Sequence, residues 1–406
     1  MTPIDTAPLP TARRALLVLA VVLMMLATTG WTVVRHQKGP RTALAAELAH
    51  WGETAATGGR LPPADAAPAR IAAFFHSLTP REGSRLAARY PHVVGNLNGA
   101  PVTLRYLANR AALASALARE EERVAGNGLT ADGRREAARR VHRFSSLMSE
   151  DRQILAFDPS GQGRVAEVFG DLDGAERVSV VVPGVDTNVL TFQRTARRYS
   201  APVGMARSLH AAERRAAPAV RSAVVAWADY TSPAGVGMDS ATGRLAELGA
   251  VRLTAFTEAL PGRSRVALFC HSYGSVVCGV AARHLPARVV DVTVAGSPGM
   301  RADNVAGLGT TARIWAARDA DDWIEDVPHL AVGDLGHGED PVAPEFGARV
   351  VSAVRAVGHT GYFEPGTDSV SNFAAIGVGV YSAVDCADGG PSCRKGTFDA
   401  ESGERA

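Results

Sequence analysis

Five apolar runs of strand length recur along the chain, and segments of helical character separate them. The runs are Val178–Val182, Val220–Ala226, Val266–Cys270, Val289–Ala295 and Ala312–Ala316. Continuous apolar runs that alternate with helices are typical of a parallel sheet that is buried on both faces. The pattern therefore predicts an α/β domain over residues 151–385, with a mostly parallel sheet and helices on both faces.

The segments on either side of this domain have a different character. Residues 36–64 are small and polar and contain proline and glycine, which predicts a linker. Residues 65–150 repeat apolar side chains at three- and four-residue spacings, which predicts a helical region broken at residues 125–130. Residues 386–406 are interpreted as a C-terminal tail.

Four cysteines divide into two pairs. Cys386 and Cys393 close a short loop, DCADGGPSC, and a disulfide there would suit an oxidising compartment, with free thiols as the alternative. Cys270 and Cys278 are interpreted as small buried residues. The cysteines lack the spacing of a zinc site, so we expect no metal, and the chemistry predicted below needs no cofactor.

The N-terminal segment predicts a membrane anchor within residues 1–35. Ala15–Val34 contains no charged residue, and a helix of that length spans about 30 Å, the hydrocarbon core of a bilayer. The alternative is a cleavable signal peptide with Ala15–Ala27 as its apolar core. Basic residues flank both ends and leave the orientation open, but the cysteines favour an exported domain. We expect a single-pass protein of the cell membrane with its folded domain extracytoplasmic.

Charge excludes one class of partner. The formal net charge is +2, and 21% of the residues are charged, so the chain has no basic footprint for nucleic acid. The sequence gives no oligomeric state.

The stretch RVALFCHSYGSVVCGVAARHL changes from a strand pattern to a helix pattern at Ser272. A serine on a sharp strand–turn–helix bend is the nucleophile elbow of α/β hydrolases, although a plain structural turn is the alternative. Such a bend requires small residues near the serine, and Gly274 provides one two residues after it. Two residues before the serine, Cys270 replaces the glycine that is usual in this motif. The bend would expose the hydroxyl and direct the Tyr273 amide at the same space. We predict Ser272 as nucleophile and the Tyr273 backbone as an oxyanion donor.

An acid is expected to follow the nucleophile in this fold, after a later strand. The loop RDADDWIEDVPHL offers Asp319, Asp321 and Asp322. Asp322 is preferred because Ile324 would anchor its loop to the core, and Asp319 is the second choice.

A histidine is expected after the acid. His359 lies on a short loop in VGHTGYFEPGT, where its imidazole could accept the proton of Ser272. His337 is a weaker rival, and His271 is predicted to support the turn beside the serine.

The second oxyanion donor is expected from the loop after an early strand. In VSVVVPGVDTN, Pro183 ends the strand and Gly184 lets the backbone come close, so the Val185 amide is the predicted donor. A simple Pro-Gly turn is the alternative.

Several stretches occur together in order: GNLNGAPVTLRYLANR, GDLDGAERVSVVVPGVDTN, AVVAWADY, CHSYGS, VAGSPGM and GHTGYFEPGT. Over roughly residues 70–380 the chain resembles an actinobacterial α/β-hydrolase family long catalogued as a domain of unknown function. The resemblance implies Ser272 as nucleophile, His359 as base and an acid in the loop Asp319–Asp322. The chain departs from the family pattern at Cys270 and at Ala228-Asp229.

These observations predict a membrane-anchored serine hydrolase with an Asp322–His359–Ser272 triad that acts on small-molecule or lipid-like esters, as a carboxylesterase does. Two alternatives stay open. One is a catalytically inactive, hydrolase-like protein that binds a ligand at the cell envelope. The other is an acyltransferase that uses the same triad with an alcohol in place of water.

Overall fold

A mostly parallel sheet forms the centre of the structure, a computed structural model that describes residues 42–56 and 61–397. Eight strands of this part form the sheet, in the order β1-β2-β4-β3-β5-β6-β7-β10. The strands are β1 Gln153–Asp158, β2 Arg164–Phe169, β3 Arg177–Val182, β4 Ser222–Ala228, β5 Arg265–His271, β6 Val289–Ala295, β7 Arg313–Ala317 and β10 Arg349–Val350. β2 runs antiparallel to β1 and β4, and the pairs from β4 through β10 are parallel. The carboxyl ends of the parallel strands therefore meet at one edge, which we call the carboxyl edge.

Helices cover both faces of the sheet, as the sequence predicted. The α-helices of six or more residues in the described part are α1 Ala43–Ala56, α2 Pro68–His76, α3 Pro80–Arg89, α4 Pro91–Asn96, α5 Val102–Ala125, α6 Ala131–Leu147, α7 Pro202–Ala216, α8 Arg244–Glu258, α9 Gly274–Ala281 and α10 Asp368–Val378, and a four-residue helix, Met238–Ala241, precedes α8. α7 and α10 pack on one face of the sheet, and α8 and α9 pack on the other. A short hairpin, β8 Ala331–Val332 and β9 Leu335–Gly336, lies in the connection between β7 and β10.

The segment predicted as a linker contains a helix, which corrects that interpretation of residues 36–64. In α1, the Trp51 side chain is fully buried and its indole N–H donates to the carbonyl of Pro62 at 2.7 Å. Trp51 packs edge-on against Tyr90 at the end of α3. The small residues that suggested a linker are largely alanines, which have the highest helix propensity, so composition concealed the helix.

The segment from Cys386 onward packs against the sheet, whereas the sequence suggested a tail. Cys386 pairs with Val351 in an antiparallel bridge just beyond β10, and Arg349 donates to the carbonyl of Cys393 at 2.6 Å. The predicted Cys386–Cys393 disulfide is present. This cross-link closes the loop and keeps its end beside β10.

A second disulfide joins Cys270 to Cys278, which the sequence interpretation had treated only as small buried residues. Cys270 lies in β5 and Cys278 in α9, on either side of the bend at Ser272. Because the bend folds the helix back over its own strand, two side chains eight residues apart come together. The cross-link holds strand and helix beside the serine.

The membrane anchor predicted for residues 1–35 lies outside the described residues. Within residues 42–56 and 61–397, no helix combines the length and the apolar character needed to cross a membrane.

Glu213 is a buried carboxyl group between α7 and the sheet, and it predicts a pH dependence of stability. Burial raises its pKa from 4.5 to about 7, although a hydrogen bond from Ser179 opposes the rise. Between these two values the folded chain binds more protons than the unfolded chain, so the free energy of unfolding falls as pH rises. Chemical denaturation of a Glu213→Gln variant should show a flatter profile between pH 5 and 7. At pH 8 this variant should be more stable than the parent by at most about 3 kcal/mol. Equal slopes for the two proteins would contradict this prediction.

Candidate active site

Ser272 lies at the bend between β5 and α9, in a strained backbone conformation. Its φ angle is +54°, in the left-handed region that non-glycine residues rarely adopt. The amide of Ser272 donates to the carbonyl of Ala295 at the end of β6 at 3.0 Å, and its own carbonyl accepts from Ser275 at 2.9 Å. These bonds fix the bend on both sides and hold the side chain at the carboxyl edge.

Two glycines make room for this serine. A Cβ atom at Gly274 would lie 2.3 Å from the carbonyl oxygen of Val182, so a larger residue could not start α9 this close to β3. A Cβ atom at Gly184 would lie 2.6 Å from the Cβ of Ser272. Both glycines allow the backbone after β3 to contact the backbone around the serine.

His359 bridges Ser272 and Asp322. Its Nε2 atom lies 2.9 Å from the Ser272 Oγ atom, and its Nδ1 atom lies 2.8 Å from Oδ1 of Asp322. These partners assign the proton to Nδ1, because the carboxylate can only accept, and leave Nε2 to accept from the hydroxyl. A Cβ atom at Gly296, which follows β6, would lie 2.7 Å from Oδ2 of Asp322, so a glycine is required there as well. The three side chains predicted from the sequence therefore meet at one point.

Asp322 is held as a carboxylate by its neighbours. Burial favours a raised pKa, but hydrogen bonds from His359 and Tyr362 outweigh it and keep the pKa of Asp322 below its ordinary value. Tyr362 donates to Oδ2 at 2.5 Å, and the Ile324 amide donates to Oδ1 at 3.0 Å. Ile324 is buried, as predicted, and anchors the loop.

The other two aspartates of the loop lie away from the imidazole ring. Oδ2 of Asp319 accepts from the amide of Gly358 at 2.7 Å, at the start of the 3-10 helix Gly358–Phe363 that carries His359. The amide of Asp319 donates to the hydroxyl of Tyr362 at 3.0 Å. Asp321 is exposed to solvent. The structure therefore brings Asp322, and not Asp319, into contact with the histidine ring.

His271 supports the site through the backbone. Its Nε2 atom donates to the carbonyl of His359 at 2.6 Å, and the two rings lie 4.9 Å apart. Burial, followed by the nearby His359, lowers the pKa of His271 to about 3, so its ring stays neutral. The rival His337 hydrogen-bonds to the carbonyl of Ser240 at 2.7 Å and lies edge-on to Tyr273, away from the serine hydroxyl.

Two backbone amides next to the serine have no acceptor. Neither the amide of Val185 nor that of Tyr273 donates a hydrogen bond within the described part of the chain. Beyond Val185, the loop is fixed by a bond from the Asp186 amide to the carbonyl of Pro233 at 2.8 Å. Both predicted donors are therefore free to receive a ligand oxygen.

A cleft of about 170 Å³ opens beside Ser272 and His359. Its wall includes the loop after β3 and the segment that leads into α7, with Thr187, Thr191, Arg194 and Ser200 as polar members. A larger groove of about 760 Å³ lies between α8 and α9, but it contains none of the three triad side chains.

Sequence reasoning missed Tyr362 and the role of Asp319. Tyr362 lies three residues after His359, on the same short helix, and hydrogen-bonds to both Asp322 and Asp319. A tyrosine one helical turn from the histidine was the available signal, but only the fold shows that the turn faces the acid loop.

Part of this chain is similar to a known protein family. Residues 158–332 match a family model described as Alpha/beta hydrolase, and this part of the chain carries the α/β-hydrolase fold. The match includes Ser272 and Asp322, and His359 lies beyond its end. The resemblance to an actinobacterial α/β-hydrolase family of unknown function is confirmed by this match together with mycobacterial relatives.

Two of these relatives are Mycobacterium tuberculosis proteins. Uncharacterized protein Rv2079 is 28% identical over 270 residues, which cover 59% of this chain and 40% of the relative. Uncharacterized protein Rv0963c is 31% identical over 167 residues, which cover 40% of this chain and 58% of the relative. The chain thus spans less than two thirds of the length of these relatives.

The solved structures that are similar to this chain are more distant in sequence. A dienelactone hydrolase from Anabaena variabilis is 17% identical, with a TM-score of 0.35 over 56% of this chain and 95% of the other. Est1E from Butyrivibrio proteoclasticus is 11% identical, with a TM-score of 0.32 over 56% of this chain and 98% of the other.

Proposed function

We propose that this protein is a serine hydrolase that cleaves carboxylic esters with Ser272 as nucleophile, His359 as base and Asp322 as orienting acid. The observation that supports the proposal most is the continuous contact from carboxylate to imidazole to hydroxyl, at 2.8 and 2.9 Å. Nucleophile, base and orienting group within hydrogen-bond reach are the diagnostic geometry of covalent catalysis.

The proposed reaction has two halves. Ser272 Oγ attacks the ester carbonyl while its proton moves to Nε2 of His359, and the C–O bond to the alcohol breaks as the alcohol takes that proton. Water then attacks the acyl-serine and loses a proton to His359. The bond between the acyl carbon and Ser272 Oγ breaks, Oγ takes that proton back from His359, and the carboxylic acid leaves. In both halves the amides of Val185 and Tyr273 stabilise the oxyanion, and one such donor lowers a barrier by about 3 kcal/mol.

The volume of the cleft favours a short acyl group. At about 170 Å³ the cleft is smaller than the roughly 300–1,000 Å³ typical of ligand pockets. An acetyl to butyryl group fits such a volume, and a longer chain must extend beyond it. We therefore expect short p-nitrophenyl esters to give the highest kcat/KM in solution.

A fluorophosphonate probe tests the proposal. It should label the folded protein at one serine, and mass spectrometry should find the adduct on the peptide that contains Ser272. Heat-unfolded protein is the control and should not react. A folded protein that stays unlabelled would instead favour a hydrolase-like binding protein.

We further propose that residues 15–34 anchor the enzyme in the cell membrane, with the catalytic domain on the extracytoplasmic side. The uncharged segment supports the anchor. The two disulfides of the folded part support an oxidising compartment.

A further inference from the structure

Large apolar side chains that are exposed to solvent are concentrated at the carboxyl edge. Eight of them lie on connections that leave this edge, with 47% to 84% of their surface exposed, and we call them the apolar rim: Val236, Met238, Trp323, Leu330, Val332, Leu335, Val354 and Val357. In the rest of the described chain the comparable side chains are Leu48, Leu107, Leu248 and Val251. Single exposed apolar residues are ordinary, whereas a cluster marks an interaction surface.

The apolar rim borders the catalytic cleft. The Trp323 ring lies 4.6 Å from the ring of His359, and 48% of the Trp323 surface is exposed to solvent. The β8–β9 hairpin also contacts the connection between β4 and β5. Leu335 of the hairpin pairs with Thr242, and His337 hydrogen-bonds to Ser240. These bonds join the hairpin to the segment that carries Val236 and Met238. A surface that docks on the rim would therefore lie over the entrance to the cleft.

The first helix of the folded part, α1, is linked through α4 to the carboxyl end of β1, at the border of the sheet opposite β10. Glu47 of α1 accepts from the amide of His92 at the start of α4, and Asn96 of α4 donates to the carbonyl of Phe157 at 2.8 Å. Phe157 is at the carboxyl end of β1, which runs in the same direction as β4. Residues 35–42 separate the uncharged segment 15–34 from α1, and they span at most about 30 Å. If residues 15–34 enter a bilayer as proposed, so short a connection keeps the folded part close to the bilayer surface. This favours a bilayer, rather than a protein, as the occupant of the rim.

We propose that the apolar rim inserts into the interfacial region of a lipid bilayer, so that Ser272 receives an ester carried by a lipid. The inference deepens the proposed function and rests on it for the chemistry of the substrate, but not for docking. Tryptophan is the side chain that membrane–water interfaces favour, and Trp323 occupies the position next to the catalytic histidine.

Site-specific labelling tests the docking. An environment-sensitive fluorophore is attached at Val332→Cys or at Val251→Cys, in the full chain carrying Ser272→Ala, reconstituted in phosphatidylcholine vesicles. The two valines are matched in exposure, at 70% and 72%, but Val251 lies on α8 away from the rim. Brominated phosphatidylcholine should quench the label at position 332 at least about twofold more than the label at position 251.

Each other outcome overturns the proposal. Equal quenching at both positions, or none at either, means that the rim does not contact lipid. The label at position 332 could instead report an apolar environment without being quenched by brominated phosphatidylcholine. That result would mean that a protein surface, such as a second copy of this protein, covers the rim.

A kinetic comparison separates this inference from the proposed function. In the active protein, Val332→Asp with Val354→Asp should lower hydrolysis of a vesicle-borne ester at least about tenfold and leave p-nitrophenyl acetate hydrolysis unchanged. Equal losses on both substrates would overturn the docking proposal. Absence of p-nitrophenyl acetate hydrolysis in the parent protein would overturn the proposed function, while the labelling result would stand.

Discussion

Replacing Ser272 by alanine should lower kcat for p-nitrophenyl acetate by at least about 10⁴-fold. The loss is this large because, among the residues that the structure describes, the Ser272 hydroxyl is the nucleophilic group that contacts Nε2 of His359, at 2.9 Å. What remains should be the rate that the free amides of Val185 and Tyr273 give to attack by water. Stopped assays with purified parent and variant measure the ratio.

A matched control separates chemistry from folding. Ser297 has the same exposure as Ser272, 6%, and it also follows a strand at the carboxyl edge. Within the part of the chain that the structure describes, its hydroxyl bonds to Gly299 of its own turn and not to the histidine. Ser297→Ala should therefore keep kcat within about threefold of the parent. If Ser272→Ala keeps parental activity, another nucleophile must act and the triad is wrong.

The strain at the bend explains why the sequence alone could point to Ser272 as the candidate nucleophile. A φ of +54° at a serine requires small neighbours and tight backbone contacts, and the contacts made at Gly184 and Gly274 leave no space for a Cβ atom. These demands appear in the sequence as a strand pattern, a serine and a glycine in fixed spacing. The five predicted strand runs overlap β3, β4, β5, β6 and β7 for the same reason, because burial on both faces demands continuous apolar residues.

Features that depend on contacts between segments far apart in the chain were harder to predict from the sequence. β1 and β2 at the sheet border each contain two polar residues in six, and β10 has only two residues. Their apolar runs are therefore shorter than the runs that identified the central strands. Likewise, the Cys270–Cys278 disulfide depends on how far α9 folds back over β5, which spacing alone does not give. Composition also concealed α1, because an alanine-rich helix resembles a linker of small residues.

The choice among three neighbouring aspartates was the least determined part of the site. All three follow β7, so chain order fits each of them. Ile324 as an anchor favoured Asp322, but the decisive fact is the direction of each carboxyl group in the folded loop. Asp322 reaches Nδ1 of His359, whereas Asp319 reaches the backbone amide that begins the helix carrying His359.

Because the three aspartates make different contacts, we expect their substitution to lower kcat/KM by different amounts. Asp322→Asn should lower kcat/KM by about 10³- to 10⁴-fold, because a neutral amide cannot stabilise the imidazolium that forms when His359 accepts the proton. Burial increases the cost, since Asp322 is 2% exposed and solvent cannot replace the lost charge. In the variant, the amide oxygen can still accept from the Ile324 amide at the Oδ1 position. The NH₂ group at the Oδ2 position can donate to the Tyr362 hydroxyl, which then acts as acceptor, so the loop should keep its shape.

The neighbouring variants supply the comparison. Asp319→Asn keeps an oxygen that can accept from Gly358, so His359 stays in position and the loss should stay below about tenfold. Asp321→Asn changes an exposed side chain and should leave the rate unchanged. The measurement is kcat/KM for p-nitrophenyl acetate in all three variants, with circular dichroism to verify folding. Equal losses at Asp319 and Asp322 would mean that orientation of the histidine loop, rather than the charge beside Nδ1, is what the acid contributes.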